Sequence, residues 1–427
     1  MPQASVSLRP ASARCAFALS TLSLAVLLGA CGGGGGGDPA ASTQGFSSGP
    51  ISGFGSIIVN GIRYEDGSAS VIDDEGDSVS RSSDDPLQLG VVVEVVGRVN
   101  DDGISGTASR FEVRSGLKGP VEAKNSLTDT LTVLGTPVRV TATTIYQGVS
   151  GFAGLVAGSD GQVVEVHGLP GADGTLVATR IELESPSVSA YGGDYRVRGS
   201  LSGLAGTAPS QTFRVGAVDV RTDALTRLNG SLVEGALVSV RLAKTPVAGV
   251  YTASRVQLKT RGFARDDRYD RAEIEGLVTA FTSINSFEVN GYPVTTSDTT
   301  VFEDGRSGVV LGARVDVDGT VVNGVLQARK VELDRFDSGE SGDDRDGDDR
   351  DDAPFEFKGV ASAVSGTASA GTFVVRGQSI DYDSRTVFRD GLSAASFSGV
   401  NVEVDAVSDS SSGAGTRFLA VRIERKN

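Results

Sequence analysis

One pattern occurs five times along this sequence, with starts near Gly49, Gly119, Arg198, Glu275 and Lys358. Repetition at that spacing, more than the total length of 427 residues, sets the number of folding units. Each copy opens on a glycine followed by short apolar alternation, clearest in Gly119-Pro120-Val121-Glu122-Ala123, Gly276-Leu277-Val278-Thr279-Ala280 and Gly359-Val360-Ala361-Ser362-Ala363. An apolar strand ending in a residue plus Gly comes next. It reads Ile57-Ile58-Val59-Asn60-Gly61, Leu131-Thr132-Val133-Leu134-Gly135, Phe213-Arg214-Val215-Gly216, Phe287-Glu288-Val289-Asn290-Gly291 and Phe373-Val374-Val375-Arg376-Gly377. A second short strand follows at once, as in Tyr292-Pro293-Val294-Thr295. Two strands joined through Asn-Gly predict a tight hairpin, because a type I′ turn needs positive φ at both central residues and these two tolerate it. Gly216 comes early in the third copy, which predicts a different turn there.

Later in each copy an aromatic or apolar residue precedes a glycine. Thr300-Val301-Phe302-Glu303-Asp304-Gly305 and Thr386-Val387-Phe388-Arg389-Asp390-Gly391 match almost letter for letter, and Thr144-Ile145-Tyr146-Gln147-Gly148 is looser. Then comes a regular strand: Val93-Glu94-Val95, Val164-Glu165-Val166, Val238-Ser239-Val240, Val315-Asp316-Val317 and Val402-Glu403-Val404. An alanine and an alternating strand close the copy, as in Ala178-Thr179-Arg180-Ile181-Glu182-Leu183 and Ala328-Arg329-Lys330-Val331-Glu332-Leu333. Period-two alternation puts Val, Ile and Leu on one face and Arg, Lys and Glu on the other. Each copy therefore reads as five or six short antiparallel strands with glycine turns, and only residues 392–397 offer a helical turn.

A small sheet has to shelter its edges, and closing on itself does so. The predicted fold is all-β: five tandem small antiparallel β-barrels, OB-like in strand number and length, with little helix, following a lipoprotein signal peptide. The barrels are placed at 49–116, 117–190, 191–262, 272–336 and 354–427, with a charged linker at 263–271 and an acidic linker at 337–353. A module of this size buries little surface and no disulfide supports it, so consecutive modules are expected to pack like beads in contact.

The run Gly-x-Val, then Phe-x-Val-Asn-Gly, Thr-x-Phe-x-Asp-Gly, Val-Glu-Val and Ala-x-x-Ile resembles the bacterial family labelled domain of unknown function 5666. The resemblance covers nearly all of the chain after the leader; the fourth and fifth copies match best and the first and third least. It implies a small β-barrel module of envelope proteins and supplies no catalytic residues.

Residues 1–30 read as a signal peptide. Arg9 and Arg14 form a basic start, and the apolar run at 15–28 has 14 residues, too few to span a bilayer. Leu28-Gly29-Ala30-Cys31 resembles the bacterial lipobox, which implies cleavage after Ala30 and lipidation of Cys31. Residues 32–37 are all glycine, so 31–48 is expected as a lipidated cysteine on a flexible tether. Gly32 in place of Asp points, by analogy with Gram-negative sorting, to the outer membrane. Loss of the leader changes the net charge from −15 to −17 and leaves Cys31 as the one cysteine.

With two cysteines and one histidine in the full chain, Cys-rich zinc sites, iron–sulfur clusters and His-based metal centres lack ligands. A strongly acidic chain is also unsuited to nucleic acid. The acidic linker offers Asp343, Asp344, Asp346, Asp348 and Asp349 as candidate weak contacts for a divalent cation. EF-hand spacing is missing and Arg345 and Arg350 intervene, so a solvated, self-repelling spacer is the preferred reading.

His167 is expected as a strand-end side chain, and the acids of the regular strand as solvent-facing or hydrogen-bonded between modules. Gly53 and Gly55 are expected in turn geometry rather than in a phosphate cradle. Phe213, Phe287, Phe302, Phe373 and Phe388 are expected in the core, with an exposed stacking platform as the rival reading.

No cofactor and no enzymatic activity are expected. The partners expected are the membrane, through the lipid, and envelope proteins or cell-wall glycan; no feature specifies an oligomer. A structural or interaction scaffold is the first reading. A glycan- or peptidoglycan-binding protein using loops at barrel mouths is the second, and a cation-responsive linker a lesser third.

Overall fold

The structure, a computed structural model, describes residues 42–80, 85–114, 116–265, 267–333, 353–409 and 416–426. In the first copy six strands follow one another: β1 (Ser42–Phe54), β2 (Ile57–Val59), β3 (Ile62–Glu65), β4 (Ser70–Ile72), β5 (Val92–Asn100) and β6 (Ser105–Val113). Strands β1, β2 and β3 run antiparallel in sequence order. Both β3 and the short β4 lie parallel to β6, while β5 is antiparallel to β6 and to β1. The last pairing closes a barrel in the order β1–β2–β3–β6–β5, a five-stranded closure of the OB type with β4 as a short extra strand.

The same closure recurs four more times. The equivalents of β1 are Leu117–Asn125, Tyr195–Thr207, Tyr269–Ser283, and Phe355–Val360 continued by Ser362–Gly366. The predicted all-β fold of five small barrels is what the chain adopts.

The repeated residues have local reasons. Asn60, Leu134, Asn290 and Arg376 each take the first turn position between the equivalents of β2 and β3, at φ 51, 48, 50 and 49°. The third copy has a different turn, as expected. Its turn, Gly216-Ala217, is also two residues long, with positive φ at Gly216 alone, as in a type II′ turn.

In every copy but the third, the opening glycine makes room for this turn residue. A Cβ on Gly276 would lie 2.0 Å from Asn290 Nδ2, and one on Gly49 would lie 2.1 Å from Asn60 Oδ1. Through that gap Asn290 Nδ2 donates to Glu275 O (3.1 Å), Asn60 Nδ2 to Ser48 O (3.1 Å) and Arg376 Nε to Lys358 O (2.8 Å). Opening glycine and turn residue thus form a clamp tying the hairpin across the first strand.

The threonine of the Thr-x-Phe element is a second clamp. Thr144, Thr300 and Thr386 donate to Ala178 O, Ala328 O and Ala420 O at 2.7, 2.8 and 2.8 Å, the carbonyls of the alanines that open the last strand. A bulge between Val96 and Gly97 and its equivalents in all five copies bends the last strand round the barrel. Residues 392–397 form turns rather than a helical turn, and Phe397 plugs barrel five; the described helical piece, Phe152–Gly154, lies in the matching connection of barrel two. Phe213, Phe287 and Phe373 are buried core residues, while Phe302 and Phe388 pack partly buried against the core.

Three expectations need correction. Residues 42–48, assigned to the tether, are the first half of β1, paired along residues 94–100. Their Ser/Gly composition hides Phe46, whose ring lies 5.0, 5.3 and 5.7 Å from those of Phe263, Tyr269 and Tyr292 in barrel four. The charged linker 263–271 likewise carries two of those aromatic anchors, and its end, from Tyr269, is strand.

Lastly, the barrels are not beads in chain order. β1 pairs in parallel with the first strand of barrel four, Gly45 to Ser48 opposite Arg271 to Ile274, and with that of barrel five, Gly53 and Phe54 opposite Glu356 and Phe357. Barrels two and three join through their own first strands, Lys118 opposite Arg196. Barrel one also meets barrel two, where Thr179 Oγ1 donates to Gly90 O (2.5 Å), and barrel three, through residues 73–77. It is the hub that touches all four others. Gly53 and Gly55 permit this closeness: a Cβ at 53 would lie 2.3 Å from Glu356 O and one at 55, which does sit in a turn, 2.5 Å from Lys358 Cβ.

Candidate functional site

Strand register lines up one polar row on every barrel. It crosses the equivalents of β1, β5 and β6 as Ser48–Glu94–Glu112, Lys118–Glu165–Glu182, Arg198–Ser239–Gln257, Glu275–Asp316–Glu332 and Lys358–Glu403–Glu424. Alternation sends these side chains outward, as expected. Because barrels dock through these strands, outward here means toward a neighbouring barrel in several copies.

Glu94 accepts from Arg114 in its own barrel and from the Tyr292 hydroxyl of barrel four. Glu165 meets Lys118 (2.5 Å) and, across the junction, Arg196 of barrel three (3.1 Å). Against the upward push of burial, His167, Lys118 and Arg196 hold the Glu165 carboxyl well below the usual range. In the third copy Ser239 donates to Asp74 of barrel one (2.5 Å).

That contact belongs to the largest polar junction. The loop Asp73–Asp77 of barrel one enters a cluster of cations on barrel three. Asp74, with a fully buried side chain, pairs with Arg198 and lies 3.8 Å from Lys259. Glu75 receives Arg241 (2.5 Å), Arg255 (3.1 Å) and Arg196 (3.3 Å), and these cations outweigh its desolvation and keep its carboxyl acidic. Asp77 pairs with Arg255 (2.5 Å). None of these acids stood out in the sequence. The visible signal was on the other side, in Arg196, Arg198, Arg241 and Arg255 alternating with core residues.

The fourth row is different in kind. Asp316 Oδ1 and Glu273 Oε2 are buried atoms without a hydrogen-bond partner. Burial first, then Asp318, pushes Glu273 up to about 8; burial, then Glu273 and Glu275, pushes Asp316 well above the carboxylate range. Burial thus disfavours the charged form of both acids, at the junction where Glu273 lies opposite Ser47 of barrel one.

Two carboxylate trios have oxygens close enough for a cation, Asp73–Glu75–Asp77 and Glu356–Glu403–Asp405, each within 4.8 Å. The arginines of barrel three already answer the first. In the second, Lys358 meets Glu356 and Glu403 (both 2.6 Å), Lys426 meets Glu403 (2.7 Å), Arg422 meets Asp405 (2.6 Å) and Arg63 meets Glu356 (3.3 Å). Burial, then Glu403, lifts Glu356 to about 7; burial also lifts Asp405 to about 6, against Arg422. Donor sets flanked by this many cations suit ion pairing rather than a metal.

Cys31 and the linker residues Asp343, Asp344, Asp346, Asp348 and Asp349 lie outside the described residues. His167 sits within a strand, Val163–Pro170, rather than at its end, and is buried with Nε2 3.9 Å from Glu165. Burial, with Arg180 adding and Glu165 opposing, depresses it to about 4, so it is neutral at pH 7. No described serine hydroxyl is bonded to it. Between barrels one, two and five lies a cavity of about 280 Å³, walled by aromatic rings, side-chain amides and Arg180.

A family model described as "Domain of unknown function (DUF5666)" matches residues 48–112, 118–182, 198–257, 275–332 and 358–424, one match per barrel. None of the curated proteins matches the chain. The solved structure titled "drosophila Unr CSD456" is similar over 54% of this chain and 96% of its own, at 13% identity and a TM-score of 0.13, a likeness that carries no argument.

Proposed function

We infer the role of this chain from its place in a family: it belongs to the DUF5666 family, with five copies of that domain in one body. We propose a non-enzymatic scaffold of the bacterial cell envelope. A lipid on Cys31 would hold it at the outer membrane, and the five-barrel body would present its surface to envelope proteins.

One observation carries this reading. The polar positions that recur between copies, where a catalyst would place its groups, are occupied by hairpin clamps in three barrels and by ion pairs and barrel-to-barrel contacts. The repeat's chemistry therefore goes into building one body from five modules. Two or three acyl chains would then give the firm attachment that such a body needs, since each buried CH₂ contributes ~0.8 kcal/mol.

The test combines anchoring with partner capture. A radiolabelled fatty-acid precursor is expected to tag the wild type and not Cys31→Ser, and photo-crosslinkers placed on exposed barrel positions are expected to trap discrete envelope proteins. Equal labelling of the variant would overturn the anchor, and the absence of any crosslinked product in living cells would overturn the scaffold.

A further inference from the structure

We propose that the cavity where barrels one, two and five meet binds one uncharged sugar ring. Its volume, about 280 Å³, lies at the lower end for small-molecule sites and admits a single ring rather than an extended ligand. Each barrel supplies a wall. Phe54, Gln88 and Leu89 come from barrel one, residues 145–148 and Arg180 from barrel two, and Gln378, Thr416 and Phe418 from barrel five. The site therefore exists only in the assembled body, at a junction rather than at a barrel mouth.

The lining has two kinds of surface. Phe54, partly exposed, offers the apolar surface for the C–H side of a pyranose, while the buried Ile145 and Phe418 close the wall behind it. Around it stand amides and a hydroxyl, each able to donate and to accept, as a sugar hydroxyl does. The side-chain amide of Gln378 has no hydrogen bond within the described protein. Gln88 uses its Nε2 on Asp85 O (2.9 Å), which leaves its oxygen free. Thr416 Oγ1 accepts from Tyr146 N (2.7 Å) and keeps its own proton to donate.

Charge decides the ligand class. Arg180 is the one charged residue of the lining, 3% exposed. Its guanidinium is taken up by Leu89 O (3.1 Å), Gln147 and Glu182 (3.2 Å). With Glu182 neutralising it, the wall offers neither an anion nor a cation a counter-charge. A neutral, polyhydroxylated ring fits this balance of apolar floor and uncharged donors.

The experiment uses the full chain with glucose and N-acetylglucosamine as probes, and glucuronate and glucosamine as charged comparators, followed by saturation-transfer and chemical-shift NMR. Neutral sugars are expected to bind in the millimolar range, at least fivefold better than either comparator, with shifts centred on Gly148 and Gln378. Gln378→Ala is expected to weaken binding about tenfold, and Gln378→Trp, which fills the cavity, to abolish it. Unchanged melting would show that both variants fold. No binding by the wild type, shifts centred elsewhere, or full binding by a folded Gln378→Trp variant would each overturn the proposal. Because the shift map needs no variant, a misfolded substitution would not leave it untested. The scaffold reading stands or falls separately, on crosslinking.

Discussion

Replacing Gly276 by alanine tests the clamp found in barrels one, four and five. The backbone there is extended, so alanine suits the conformation and only space is at issue. The new Cβ would fall 2.0 Å from Asn290 Nδ2 and 2.3 Å from Asn290 Cγ, distances no pair of atoms tolerates. Asn290 would have to swing away, breaking its bonds to Glu275 O and from Leu277 N, both 3.1 Å. Each such bond is worth ~1 kcal/mol net, and more where the partner is left unsatisfied, so the loss is about 2–4 kcal/mol.

Gly199 occupies the same repeat position, but its hairpin begins with Gly216, which has no side chain. The nearest atom to a Cβ at 199 is Val215 Cγ1 at 3.0 Å. A neighbour that gives by a few tenths of an ångström, and a less flexible unfolded chain, should keep Gly199→Ala within ~1 kcal/mol of the wild type. Urea unfolding monitored by circular dichroism measures both. In addition, Gly276→Ala combined with Asn290→Gly should be no less stable than Asn290→Gly alone, because the clash has no partner left. Equal losses at 199 and 276, or additive losses in the double variant, would refute the clamp.

Three further expectations concern buried charged and titratable groups. The folded protein keeps His167 neutral down to about 4, whereas the unfolded chain takes up a proton near 6.5. Stability present above 6.5 should thus be lost as pH falls toward 4, by roughly 3 kcal/mol, and His167→Gln should flatten that limb. Glu273 works in the opposite sense. The folded state holds its proton up to about 8 against a usual value of 4.5, so its contribution fades as pH rises through that window and Glu273→Gln should keep it. Melting temperatures across pH 4–9 would check both slopes. At the barrel one–barrel three junction, Asp74→Ala leaves Arg198 facing a buried gap and removes the Ser239 contact. It should cost about 3–5 kcal/mol and expose the junction to limited proteolysis; an unchanged digest would contradict the role given to this loop.

What could be read from the sequence was what is local. Alternation, Asn-Gly turns and the recurring Val-Glu-Val strand depend on neighbours a few residues away, and they fixed the barrel count and the strand order within each copy. The partners of the barrels depend on contacts hundreds of residues apart. Phe46 stands in a Ser/Gly-rich stretch whose composition resembles a tether, yet it seats barrel one on barrel four. Gly53 reads as a turn residue, and only the strand of barrel five beside it reveals the close approach. The strand acids were legible as outward-facing, but which cation each would meet was not, since Arg196 and Tyr292 lie on other modules.

The polar row answers a problem inherent in tandem copies. Five barrels of one fold share the same apolar alternation, so hydrophobic burial alone would let any pair of first strands join, and misassembly of neighbouring modules is a characteristic failure of repeat proteins. Aromatic contacts such as Phe46 against Phe263 and Tyr292 supply affinity without much discrimination. The row supplies discrimination, because its residue types differ between copies although its register does not. Glu165, beside Lys118, accepts from Arg196; Arg198 and Ser239 donate to Asp74; Glu94 accepts from Tyr292. A buried ion pair adds little net stability, but a mismatched one leaves an uncompensated charge at a cost of several kcal/mol. Exchanging the row of one barrel for that of another should therefore disturb the choice of neighbour more than the folding of the barrel itself.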